Sequence, residues 1–173
     1  KSAEHGIEAV NHGADAVYIG APKFGARAAV GNSVEEIERL ASYAHRFRAK
    51  VYVALNTILT DKELAETEKM VRQIYEAGAD ALIVQDMGIT QLDLPPIALH
   101  ASTQMDNRSV EKVRFLEEAG FDQVVLAREL SFEQIDSFLS PDIRSQIING
   151  QIVELFSSPL NLRLFLNYIR SRQ

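Results

Sequence analysis

The chain has 173 residues, 46% hydrophobic and 24% charged, with a formal net charge of −6. These values describe one globular domain with enough apolar side chains for a core, and the acidic balance excludes a basic grip on nucleic acid over the whole surface. The lack of cysteine excludes a disulfide frame, a cysteine nucleophile and an iron–sulfur cluster held by this chain's own thiolates.

In chain order, residues 2–12 read as a helix with Ser2 at its cap and Ile7 and Val10 apolar. Ala16–Ile19 reads as a strand. Residues 20–32, rich in Gly and Ala and carrying Pro22, read as a loop. Asn32 or Ser33 caps a helix that runs to about Phe47, with Glu35 and Glu36 in its first turn. Val51–Leu55 is the next strand. Thr60 or Asp61 then caps a helix to Glu76, with Leu64, Val71, Ile74 and Tyr75 expected on its inner face.

Ala81–Val84 is a strand, and Met87–Leu92 a short helical turn stopped by Pro95 and Pro96. Ile97–Ala101 is a strand. Ser109 caps a helix carrying Val113, Leu116 and Ala119. Val124–Ala127 is the last strand, and Ser131 with Gln134 forms a capping box. After Pro141 the alternation stops. The apolar stretches 143–156 and 160–169 read as helices, the last of them basic at its end. No apolar run reaches the roughly 18–20 residues of a membrane span. No secretory leader is visible, so a cytoplasmic protein with no membrane contact is expected.

Three segments repeat one unit: Gly13-Ala-Asp-Ala-Val-Tyr-Ile-Gly20, Gly78-Ala-Asp-Ala-Leu-Ile-Val-Gln-Asp86 and Gly120-Phe-Asp-Gln-Val-Val-Leu-Ala-Arg-Glu129. Gly suits the left-handed residue just past a helix end, and a short apolar run suits a buried parallel strand. With single-helix crossovers, sequential strands lie side by side. About five strands are legible, where a closed barrel has eight. The fold class is therefore α/β: an incomplete TIM-like (β/α) barrel with parallel strands, plus C-terminal helices. Asp15, Asp80 and Asp122 recur at one position of the repeat, which points to a structural task at the helix-to-strand turn.

In a parallel sheet the strands' C-terminal ends share one edge, and the polar residues there are candidates for a binding rim. They are Tyr18, Gly20, Asn56, Thr57, Gln85, Asp86, His100, Ser102, Gln104, Arg128 and Glu129. His100 titrates near neutrality and suits acid–base work, although a lone strand histidine more often serves the core. Arg128 and Glu129, if in a strand, point to opposite faces. The catalytic candidates are His100, Asp86 and Glu129. Gly20-Ala-Pro-Lys-Phe-Gly-Ala-Arg27 lacks the Walker and dinucleotide spacings. His5, His12 and His45 lack metal-ligand spacing, so no metal site is expected.

Several of these stretches in series resemble the peptidase U32 family, which includes collagenase-like proteases. They are His12–Gly20, Phe24-Gly-Ala-Arg27, Val51–Thr57, Ala81–Asp86, His100-Ala-Ser-Thr-Gln104 with Asn107, and Val125–Glu129. The resemblance covers about residues 1–140. It implies a barrel-like domain over 1–140, with 141–173 a helical segment outside the match. The rim residues that the resemblance carries over as substrate-binding are Tyr18, Arg27, Asn56, Gln104, Asn107 and Arg128.

Other family members resemble hydroxylation factors for tRNA, ribosomal RNA or quinone precursors. Several of those hold an iron–sulfur cluster on cysteines beyond the matched region. The resemblance also implies an apolar strand before Lys1 and a cysteine-bearing stretch after about residue 140. Neither stands in this sequence, so a truncated piece, or one with segments missing, is expected. The expected function is therefore a fragment of a U32 protein, a peptidase by family name but acting in RNA hydroxylation when whole. The alternative is a non-catalytic binding module. No cofactor is expected on this chain. RNA or peptide is the expected substrate of the whole protein, and an uncovered sheet edge makes a homo-oligomer the other expectation.

Overall fold

A computed structural model describes residues 2–25, 31–136 and 138. The chain divides into two compact units, Lys1–Ala127 and Arg128–Gln173. The domain boundary expected at residue 140, and the C-terminal helices expected beyond it, lie outside the described residues.

In the first unit helices and strands alternate. They are α1 (Ala3–Asn11), β1 (Ala16–Gly20), α2 (Val34–His45), β2 (Lys50–Leu55), α3 (Asp61–Glu76), β3 (Ala81–Val84), β4 (Ala98–Ala101), α4 (Val110–Glu118) and β5 (Gln123–Val124). A 3₁₀ turn, Met87–Gln91, replaces a full helix between β3 and β4, and a second, Thr103–Met105, follows β4. The five strands form one sheet in sequential order, every pair parallel. This is the order that short, right-handed crossovers impose.

The helix starts follow from local chemistry. Ser33 accepts from the Glu36 amide while the Glu36 carboxylate accepts from Ser33 N–H, closing a capping box at α2. Glu63 does the same for the Thr60 amide at α3. Ser109 accepts from the Lys112 amide at α4. Ser2 occupies the cap position of α1 but makes no capping bond, its hydroxyl meeting His5 instead. Gly13, Gly78 and Gly120, the residues that open the three repeats, all have positive φ.

One face of the sheet carries Val17, Ile19, Val51, Val53, Leu55, Leu82, Val84, Leu99 and Ala101, all buried. They pack with Ile37, Leu40, Val71, Ile74 and Leu116 from the helices. Tyr75 departs from its expected place, being 39% exposed. Thr67 and Met70 join Val71 and Ile74 on the buried face of α3. The last strand also differs, covering Gln123–Val124 rather than 124–127. Past Val124 one more bond reaches β4, from Val125 N–H to Ala101 O, and then Asn107 takes over: its side chain donates to Val125 O and its backbone carbonyl accepts from Ala127 N–H.

In the second unit, Arg128 and Glu129 lie in a turn and not in a strand, so the expected alternation between two faces does not apply to them. A short helix, α5 (Phe132–Asp136), follows. Its capping box is formed as expected: Ser131 Oγ accepts from the Gln134 amide, and Gln134 Oε1 accepts from Ser131 N–H.

Candidate functional site

Because the strands are parallel and in register, alternation sorts their side chains into two sets. One set is the buried core under the helices. The other faces away: Tyr18 and Gly20 on β1, Tyr52 and Ala54 on β2, Ala81 and Ile83 on β3, Ala98 and His100 on β4. Their register is Tyr18 beside Tyr52, Tyr52 beside Ala81, and Ile83 beside His100. This second face is the inner one of a barrel wall, and it carries three rings.

Tyr18 and Tyr52 meet with ring centroids 5.6 Å apart, tilted by 42°. Tyr52 meets His100 at 4.7 Å, edge to face at 73°. The small Ala81 beside Tyr52 leaves the ring room to reach across β3 to β4. His100 is 6% exposed, and burial lowers its pKa below the ordinary value, against a weaker opposing pull from Asp122. Burial likewise raises the Tyr52 phenol pKa, with Tyr18 adding to the effect. Near neutrality the inner face therefore presents an uncharged imidazole and an uncharged phenol.

The rim residues have diverse tasks. Asp86 uses both carboxylate oxygens on backbone: Oδ2 accepts from Leu59 N–H at 3.0 Å and Oδ1 from Gly88 N–H at 2.7 Å. That ties the loop after β2 to the turn after β3. Asn107 is fully buried and donates to Ser102 O at 2.9 Å and Val125 O at 2.8 Å. Ser102 caps the turn after β4 by accepting from Gln104 N–H. Thr57 donates to Phe24 O, and Asn32 donates to Gly20 O, closing the loop over β1. Asn56 is half-buried just past β2.

Gln85 and Gln104 stand together, the Gln85 amide donating to Gln104 O at 3.5 Å. Beside them opens a groove of about 290 Å³, lined by Ile58, Met87, Met105, Lys112, Phe115 and Leu116. It lies next to the short link between β3 and β4, where a full helix would otherwise add bulk. Lys112 Nζ donates to Met105 O at its side.

The structure thus joins Tyr18 and His100 through Tyr52, and Gln85 to Gln104. Asp86 and Asn107 are spent on holding loops. Arg128 and Glu129, in the second unit, are exposed. Arg27 lies outside the described residues. Tyr52 was missed in the sequence because it sits mid-strand, away from the strand end. The signal that finds it is alternation: the aromatic of Val51-Tyr-Val shares a face with that of Val17-Tyr-Ile.

The repeated aspartates are explained by the opposite edge of the sheet. Asp80 Oδ2 accepts from Val51 N–H at 2.8 Å, and Asp122 Oδ2 from Leu99 N–H at 2.9 Å. Asp80 and Asp122, each just before one strand, thus clasp the strand before it. Lys50 and His45 also reach Asp80.

Among the described residues no group of three or more His, Asp or Glu is placed to hold a metal ion, and no helix is long and apolar enough to cross a membrane. An iron–sulfur cluster takes thiolate donors. These 173 residues have none, so they do not fit that group.

Comparison with known proteins places this wall in a family. The chain is 59% identical over 128 residues to the 23S rRNA 5-hydroxycytidine C2501 synthase of Escherichia coli, a match covering 74% of this chain and 20% of that protein. It is 31% identical over 165 residues to tRNA hydroxylation protein P of the same organism, covering 90% of this chain and 36% of that one. The chain thus spans only about a fifth to a third of the length of these relatives. Among solved structures, the U32 peptidase Mk0906 superposes with a TM-score of 0.59 at 15% identity, over 80% of this chain and 62% of its own. That likeness supports the partial (β/α) barrel. The family model described as peptidase family U32 matches residues 1–153, and the chain belongs to that family.

Proposed function

We propose that this chain is a barrel-wall portion of a cytoplasmic RNA-hydroxylating protein. Its inner face and C-terminal strand edge handle the nucleotide to be modified. The observation that carries this reading is the 59% identity to a synthase named for a hydroxycytidine of ribosomal RNA. The geometry is in keeping with it. Tyr18, Tyr52 and His100 form an uncharged aromatic wall, and Asn56, Gln85 and Gln104 supply amides at the strand edge. Base-modifying enzymes take the target base out of its stack, and such a wall suits a base so extruded. The net charge of −6 assigns most of the grip on RNA phosphates to parts of the protein other than this wall.

The test is to delete the gene in its source organism, digest 23S rRNA and tRNA to nucleosides, and quantify the hydroxylated nucleosides by mass spectrometry. Loss of one of them, restored by the full-length gene, is the expected result. Unchanged nucleoside profiles in both RNA classes overturn the reading.

A further inference from the structure

Tyr18 is 59% exposed, the most open ring on the inner face of the sheet. One step toward the C-terminal edge on that face stand Gly20 and Ala54, side by side in register. Above the two tyrosine rings the two strands themselves thus present only a hydrogen and a methyl. The result is a recess two strands wide, bounded on the β3 side by Ile83, which is in register with Ala54 and with His100.

The charge around this recess selects its ligand. Lys50 is the cation on this face of β2, and it lies at the opposite end of the strand, held at 2.7 Å by Asp80. Among the described residues, Lys23 in the loop after β1 is likewise paired, with Glu66, so neither lysine is left to draw a phosphate or a carboxylate. An exposed ring beside a shallow, neutral recess is the arrangement that takes a flat, uncharged ring, since every base offers a π-face to an aromatic side chain. We infer that this recess is a base subsite, in which an unstacked pyrimidine of RNA stacks on Tyr18 with Gly20 and Ala54 beneath it. The inference rests on the RNA-hydroxylation reading for the identity of the base, and on the geometry for its place.

The test uses the full-length protein and a single-stranded RNA oligonucleotide carrying one 5-iodocytidine. Irradiation joins that base to an aromatic side chain in contact with it, and the joined peptide is identified by mass spectrometry. The expected product lies on Tyr18 or Tyr52. Unlabelled oligonucleotide should also bind on the order of tenfold more tightly than the same strand with an abasic position. Tyr18→Ala should abolish that difference and Tyr18→Phe should keep it. Because Tyr18 is mostly exposed, Tyr18→Ala should fold as the parent does, which its melting temperature checks.

Joining confined to other residues, or a difference unchanged by Tyr18→Ala, overturns the subsite. It would mean that the rings only fill a closed barrel. The two readings fail separately. Lost nucleoside hydroxylation in the deletion strain with no joining at these tyrosines sinks the subsite alone. Joining at Tyr18 with unchanged hydroxylation keeps the subsite and sinks the hydroxylation reading.

Discussion

Tyr52 and His100 meet edge to face at 4.7 Å although a whole strand runs between theirs. The contact exists because Ala81, beside Tyr52, is too small to fill the gap. It holds an imidazole in a buried place where its charged form is disfavoured.

The pH dependence follows. The pKa of His100 is lower in the folded state than its ordinary value of 6.5. Between the two values the unfolded chain binds more protons. The stabilising effect of a neutral His100 is therefore fully present above about pH 6.5 and is lost as pH falls toward the folded value. Urea melts between pH 5 and 7.5 should show stability falling on the acid side. His100→Gln should flatten that slope, and an unchanged slope would place the titration elsewhere.

Asp80 and Asp15 should differ sharply, although they occupy the same position of the repeat. Burial raises the Asp80 pKa, but bonds from Lys50, Val51 N–H and His45 outweigh it and leave the value below 3.8. Asp80→Ala strands the Val51 amide and should cost about 2 kcal/mol, with Asp122→Ala costing about 1–2 kcal/mol by the same logic. Asp15 directly precedes the edge strand β1 and is exposed; its backbone carbonyl accepts from Lys50 N–H, but among the described strands none lies before β1 for its carboxylate to clasp. Asp15→Ala should be nearly neutral, within about 0.5 kcal/mol. The Asp80 contribution should persist above pH 3.8 and disappear as pH drops through the lower folded value. Denaturant melts of the three variants check the ranking.

Asn107 should behave as a structural residue even though it belongs to the family's motif series. Its amide bridges Ser102 O and Val125 O, with no water-exposed route to replace either bond. Asn107→Ala should destabilise by about 1–3 kcal/mol. It should also speed hydrogen exchange at Ala127, whose amide bonds to the Asn107 carbonyl, more than at β2. Equal exchange rates in the variant and the parent would show that the bridge does not hold this segment.

Gly6→Ala sets helix propensity against packing. In an exposed helix interior Ala is better than Gly by about 1 kcal/mol. Here an added Cβ meets the Leu40 methyls at 2.8 and 2.9 Å and Val17 at 3.2 Å, and Leu40 is fully buried. Crowding a packed core costs about 1–3 kcal/mol. The variant should therefore be less stable than the parent by thermal melt, and a gain would show that α1 shifts freely off the sheet.

The order of elements was legible because it rests on local rules. Caps such as Ser33, Thr60, Ser109 and Ser131 mark helix starts, and glycine before three of the five apolar runs marks the turn into a strand. The apolar runs themselves allow little but a buried parallel sheet. The ends of β2, β3 and β4 were legible too, since a run of Val, Ile and Leu stops where polar residues begin.

What each polar residue does there was not legible, because it depends on partners distant in sequence. Asp86 looks like a free carboxylate until Leu59 and Gly88 come to it. Asn107 resembles a rim residue until Val125 folds against it. Tyr52 reads as one more apolar strand residue, and only the register of three neighbouring strands sets its ring between Tyr18 and His100. Local sequence determined the helices, the strands and their succession, because capping and turn geometry act over four residues. Tertiary structure alone decided which polar groups are spent on backbone bonds and which face the recess, because that depends on lateral strand pairing and on the size of the side chain one strand away.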